Sequence, residues 1–203
     1  MKYRLRIIIA LLFVCLVSVA GGRVPVYAET VRVVHVDGDI NAANTALVKR
    51  SLADAEAQGD AALIVTLDSS GGSREQAVKI SDLLTGSAVP TIAYVSPRAR
   101  SVAALIALSC RHIVMAPGGS IGATDTEPAK DTEELKGKFS QVATMTGKNP
   151  RLIEAMTDKS LGYSNYAEPG QLLTLSDTQA KAVNLSDGTA DSIDGVLHLY
   201  SLD

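Results

Sequence analysis

Ser101 stands at the entrance of the apolar run SVAALIALSC, behind the basic segment PRAR and ahead of a strand-like stretch and a glycine turn, HIVMAPGGSIGA. A serine at a helix N-terminus usually caps the helix. It can also be a nucleophile, because the unpaired N–H groups of the first turn and the helix dipole favour negative charge there. In that role its hydroxyl attacks a carbonyl while the amide of Val102 steadies the oxyanion.

A second element is Asp68-Ser69-Ser70-Gly71-Gly72, at the C-terminal end of the apolar stretch AALIVTL, where α/β sheets place their ligands. Paired glycines let the backbone approach a substrate closely or present an N–H freely. Taken alone the motif is a tight turn into the next helix. A serine nucleophile also needs a proton acceptor. His35 and His112 lie inside apolar strand patterns and His198 is near the end, so none sits in an obvious loop beside Ser101. Lys130 falls in the loop-like TEPAK segment after the Gly118-Gly119 turn. A lysine serves as base when desolvation makes a neutral amine available, and serine with lysine is an established pairing. Otherwise Lys130 is a solvated surface lysine, the default for its neighbours Lys136 and Lys138 on the following helix. No cluster of metal ligands and no phosphate-binding glycine loop is present, so neither metal nor cofactor is expected.

The elements that must position these residues alternate in type. Strands are expected at 31–38, 61–70, 90–95 and 112–117, and helices at 41–59, 73–87 and 101–110. Asn41 can cap the first helix and Gly59 can stop it; Ala77, Ile80 and Leu84 share one face of the second. PRAR reads as a short basic loop between the third strand and the helix that Ser101 opens. This rhythm implies α/β layering with mostly parallel strands. A helical second half follows at 132–147, 150–162, 176–185 with Ser176 as cap, and 192–202; 123–131 is the most loop-like stretch.

The chain has 203 residues, 46% hydrophobic and 20% charged, which suits one domain with an aliphatic core. Its first 28 residues read as a secretory signal: basic MKYRLR, the apolar run 7–20, and small residues before a cut after Ala28. The alternative is an uncut anchor, but the run is shorter than the ~20 residues a spanning helix needs. The domain is then 29–203, exported and extracytoplasmic. Of the 19 basic and 22 acidic residues, the leader removes four basic and no acidic ones, leaving a net charge of −7. Such a surface disfavours nucleic acid as a partner. Cys110, alone after the leader, has no disulfide partner and reads as a small buried hydrophobe.

In order, ALIVTLDSSGG, IAYVSPRARSVAALIAL, HIVMAPGGSIGA, TGKNPRLIEAMTDKSL and LTLSDTQAKAVNLSDGTADSIDGVL resemble the NfeD-type membrane-bound serine proteases of the ClpP class, over about residues 30–197. The resemblance implies a ClpP/crotonase-like α/β spiral of β-β-α units with a helical C-terminal part. It implies a Ser–Lys dyad with Ser101 as nucleophile. The family's lysine lies seventeen residues ahead of the glycine in a Gly-Arg-Asn-like motif; counting back from Gly147-Lys148-Asn149 gives Lys130. The oxyanion donors would be Gly71 or Gly72 together with Val102. The implied substrates are proteins with hydrophobic segments, such as stomatin-like membrane proteins, and the implied assembly is a homodimer. The chain departs from the family in PRARSVA, two residues shorter before the serine, and in Ser70, where a proline is usual. Two other readings are a non-catalytic binding or scaffold module of the same fold and a crotonase-type acyl-thioester enzyme; export argues against the latter.

Overall fold

The computed structural model describes residues 30–122 and 132–203; the expected signal at 1–28 and the stretch 123–131, with Lys130, lie outside them. Five parallel strands form the main sheet in the order β1-β2-β3-β4-β7: β1 (Val31–Asp37), β2 (Ala62–Ser69), β3 (Thr91–Arg100), β4 (His112–Met115) and β7 (Gly188–Thr189). Helices α1 (Ala42–Gln58), α2 (Arg74–Thr85) and α3 (Val102–Ser109) connect successive strands. After β4 come β5 (Ser120–Gly122), α4 (Thr132–Thr146), α5 (Pro150–Thr157), β6 (Thr174–Ser176), α6 (Asp177–Ala182) and, after β7, α7 (Ile193–Tyr200).

The helix ends follow local chemistry. The Asn41 side chain accepts the N–H groups of Ala43 and Asn44, and Asn44 answers in a capping box. Gly59 closes α1 in the left-handed conformation. Ser73 caps α2 through the Gln76 amide, and Ser176 caps α6 through that of Gln179. Strand β2 is buried through nearly its whole length, as a central parallel strand covered on both faces must be. One face carries the larger core, with Val34, Leu63, Val65, Leu67, Ile80 and Val102 to Leu108 of α3. On the other, Ile64, Ile92, Tyr94 and Val114 pack with Val196 of α7. Cys110 is fully buried, and that burial pushes its thiol up to about 12.

Strand β3 differs from the expectation of a strand ending at 95 and a basic loop. It runs on through PRAR to Arg100. Its first half pairs with β4 and its last three residues pair with β5. The register against β2 shifts between Leu67 and Ser69, from Leu67 opposite Val95 to Ser69 opposite Ala99. Extra residues around Pro97 are thus accommodated as a bulge, the position in which a sheet tolerates proline. Beyond it the pattern out–in–out holds, with Arg98 and Arg100 exposed and Ala99 fully buried. A strand needs only one inward side chain here, so basic composition concealed it. The glycine turn after β4 likewise leads into a strand: β5 pairs with β3 on one side and antiparallel with β6 on the other. A strand–strand–helix unit occurs here as β4–β5–α4. Helix α5 stops at Thr157, short of the expected 162.

Candidate active site

Ser101 occupies the single residue between β3 and α3, at the N-cap position, with φ 54° and ψ −133°. An ordinary capping serine has extended backbone and bonds the first helical turn. Ser101 does neither: its side chain makes no capping hydrogen bond. A non-glycine residue at this φ carries about 1–3 kcal/mol of strain and persists only where its surroundings hold it. Here its N–H donates to the Gly122 carbonyl of β5 (3.2 Å) and its own carbonyl accepts from Ala104 N–H (3.0 Å). Thus β5, absent from the sequence reading, is one of the supports of the candidate nucleophile. A serine on a sharp, strained strand-to-helix turn is the geometry of a nucleophile elbow.

The Gly71-Gly72 turn meets Ser101 from β2. Both glycines have positive φ, 135° and 140°. A Cβ at position 71 would stand 3.0 Å from Ser101 Cβ and 3.2 Å from its Oγ. One at position 72 would stand 2.3 Å from the Ile40 nitrogen. The turn is anchored by the Ile40 N–H to Gly71 carbonyl bond (2.9 Å) and the Ser73 N–H to Ile40 carbonyl bond (2.8 Å). The amide of Gly71 already donates to Ser69 Oγ (3.2 Å). That of Gly72, an exposed residue, makes no hydrogen bond among the described residues. Val102 is buried and begins α3, so its N–H belongs to the first-turn set that has no intrahelical partner. The structure therefore brings Ser101, Val102 and the two glycines together.

Other candidate bases are engaged elsewhere. Lys136 pairs with Asp158 (2.9 Å), whose hydrogen bond holds its ammonium above the ordinary lysine value. Lys138 pairs with Asp82. His35 bonds Thr66 Oγ1 (2.8 Å), His112 bonds Asp187 (2.7 Å) and His198 bonds Asp203 (3.0 Å). One lysine not weighed from sequence has a suitable amine in the wrong place. Lys148 is lowered to about 8, chiefly by burial. It donates to the Cys110 carbonyl (2.7 Å), at the far end of α3, about 12 Å of helix away from Ser101. No spacing signal marks it; its burial against the end of α3 and near Asp187 does.

A parallel sheet whose third strand feeds a strained serine into a buried helix, beside a double-glycine turn from the neighbouring strand, defines a ClpP-like α/β domain. ClpP1 from Listeria monocytogenes matches over 81% of this chain and 94% of its own, with TM-score 0.63 and 18% identity, a likeness of fold. The chain belongs to the NfeD1b N-terminal domain family, whose model matches residues 30–203. The membrane protein NfeD1b of Bacillus subtilis is 33% identical over 194 residues, 91% of this chain and 44% of the relative. The membrane-bound protease PH1510 of Pyrococcus horikoshii is 29% identical over 153 residues, 68% of this chain and 35% of the relative. The chain thus spans less than half the length of either. The 1510-N membrane-bound stomatin-specific protease, solved as a serine-to-alanine mutant, superposes with TM-score 0.74 at 25% identity over 85% of each chain. Its lysine-to-alanine mutant, in complex with a substrate peptide, gives 0.73 at 25% identity, over 84% of this chain and 79% of that one.

Proposed function

We propose that this domain is a serine endopeptidase working through a Ser101–Lys130 dyad. The observation that carries the reading is the strained backbone of Ser101 in contact with the Gly71-Gly72 turn. Neutral Lys130 accepts the Ser101 proton as Oγ bonds to the peptide carbonyl carbon. The amides of Val102 and Gly72 hold the oxyanion, the contribution usually largest in such sites. Gly71, whose N–H is taken by Ser69, shapes the turn. The lysine ammonium then protonates the leaving amine as the C–N bond breaks; water gives a proton to the neutral lysine as it attacks the Ser101 ester, and the lysine returns that proton to Ser101 Oγ as the ester bond breaks.

Similarity to a stomatin-specific protease, and to a form of it holding a substrate peptide, supports a protein substrate over an acyl-thioester. We extend the reading to membrane proteins with hydrophobic, stomatin-like segments, to an exported and membrane-associated domain, and to a homodimer. Similarity to a membrane protein and to a membrane-bound protease supports the membrane context. Among the described residues no helix is long and apolar enough to cross a membrane.

A serine-reactive fluorophosphonate tests the dyad. Labelling of the wild type that is lost in Ser101→Ala and in Lys130→Ala is expected. Equal labelling of all three proteins refutes the dyad, and a wild type that never labels leaves a scaffold module of the same fold. Size-exclusion chromatography with light scattering tests the dimer, and a mass measurement of the secreted protein tests cleavage after Ala28.

A further inference from the structure

Ser69 is the last residue of β2 and is 1% exposed. Its hydroxyl donates to the Gly71 carbonyl (3.1 Å) and accepts the Gly71 N–H (3.2 Å). Only a group that donates and accepts at once can do both. The same carbonyl also takes the Ile40 N–H (2.9 Å), so the polar groups of Gly71 are fully engaged. Beyond this residue, the neighbouring Gly72 amide has no hydrogen bond among the described residues.

We infer that Ser69 is a positioning residue for the oxyanion hole: its buried hydroxyl locks Gly71 against Ser101 and leaves the Gly72 amide for the developing charge. The inference rests on the enzyme reading above. Without the hydroxyl, the Gly71 N–H loses its partner while the carbonyl keeps Ile40. A buried N–H so released turns toward any acceptor, and the glycine pair, with no side chains to restrain it, follows. Displacement of an oxyanion donor by about 1 Å is enough to slow a reaction severely. Both side-chain hydrogen bonds of Ser69 go to Gly71, so the inference places its effect on the rate of attack and not on the state of the base.

The test follows the rate of Ser101 phosphonylation by a fluorophosphonate, whose phosphoryl oxygen takes the oxyanion position, across a pH series in the full chain. Ser69→Ala and Ser69→Cys are expected to slow labelling about tenfold or more at every pH, without moving the midpoint of the pH profile. Ser69→Thr, which keeps a hydroxyl, recovers most of the rate. Thermal unfolding accompanies each variant; cysteine fills the serine's space but is a poor hydrogen-bonding group, and it decides the matter should the alanine variant not fold. Folded variants that label at the wild-type rate overturn the inference, and so does a slowed rate with a shifted midpoint, which would place the damage at the base. Failure of the underlying enzyme reading looks different: the wild type itself does not label, or Ser101→Ala labels equally.

Discussion

Gly71 and Ser101 touch: the space a side chain would need at position 71 is filled by Ser101 Cβ and Oγ, at 3.0 and 3.2 Å. The contact joins the ends of two neighbouring strands, β2 and β3, and ties the shape of the glycine turn to the placement of the hydroxyl. Gly71→Ala therefore meets two obstacles at once, a φ of 135° and a hydroxymethyl that must move. It is expected to cost about 1–3 kcal/mol in denaturant unfolding and to lower fluorophosphonate labelling about tenfold or more. Gly72→Ala differs in kind. Its Cβ would lie 2.3 Å from the Ile40 nitrogen and 2.6 Å from its oxygen, backbone that cannot step aside. Its expected cost exceeds about 3 kcal/mol. Equal stabilities for the two variants would contradict this account of the turn.

The lysines of α4 give a selective prediction. Lys136 is bound to Asp158 and held as the ammonium, and Lys138 is bound to Asp82; both amines are committed to carboxylates. Lys136→Met and Lys138→Met are expected to label within about twofold of wild type, since each amine is committed to a carboxylate and takes no part in the proposed proton transfer. Loss of labelling in either, with Lys130→Ala still active, would move the base to α4.

The helical caps and buried runs were legible in the sequence because each is a local fact. Asn41, Gly59 and Ser176 do at their helix ends what their side chains or backbone freedom suit them to do. The unbroken apolar stretch of β2 announces burial on both faces. Strand β5 and the tail of β3 were not legible, since three residues with one inward side chain carry almost no periodic signal and their pairing is set by distant partners. At the site, residue types and spacing point to Ser101 and the glycine pair as candidates, whereas the two facts that set Ser101 apart from an ordinary capping serine, its φ and the absence of a capping bond, exist only in three dimensions. The commitment of the Gly71 amide to Ser69 is of the same sort.

The helix that Ser101 opens is buried on every side from Val102 to Ser109, so it is held by packing and not by amphipathic docking. Leu105, Ile106 and Leu108 are fully buried. Leu105→Ala is expected to destabilise the domain by about 2–5 kcal/mol, measured by denaturant unfolding, and to reduce labelling at temperatures where the variant is still folded. A cost below about 1 kcal/mol would mean that the core around α3 is looser than this packing requires.

Lys148 gives the fold a pH dependence of its own. Burial lowers its amine to about 8, while in the unfolded chain it titrates as an ordinary lysine, so between those values the unfolded state binds more protons than the folded one. Stability must then rise with pH through this window; the cost of burying the ammonium is fully present below about 8 and relieved above it. Cys110 acts in the opposite sense. Its thiol, pushed up to about 12, keeps a proton that the unfolded chain releases above the ordinary thiol value, which lowers stability there. Comparing wild type with Lys148→Met isolates chiefly the amine, because both proteins retain Cys110, whose thiol in the variant loses only the lowering effect of the Lys148 charge. Relative to the variant, the wild type is expected to gain stability from about pH 8 up to the ordinary lysine value of 10.5, read as the difference in unfolding free energy at each pH. Parallel curves for the two proteins would show that the amine stays solvated, and that its bond to the Cys110 carbonyl does not close the end of α3.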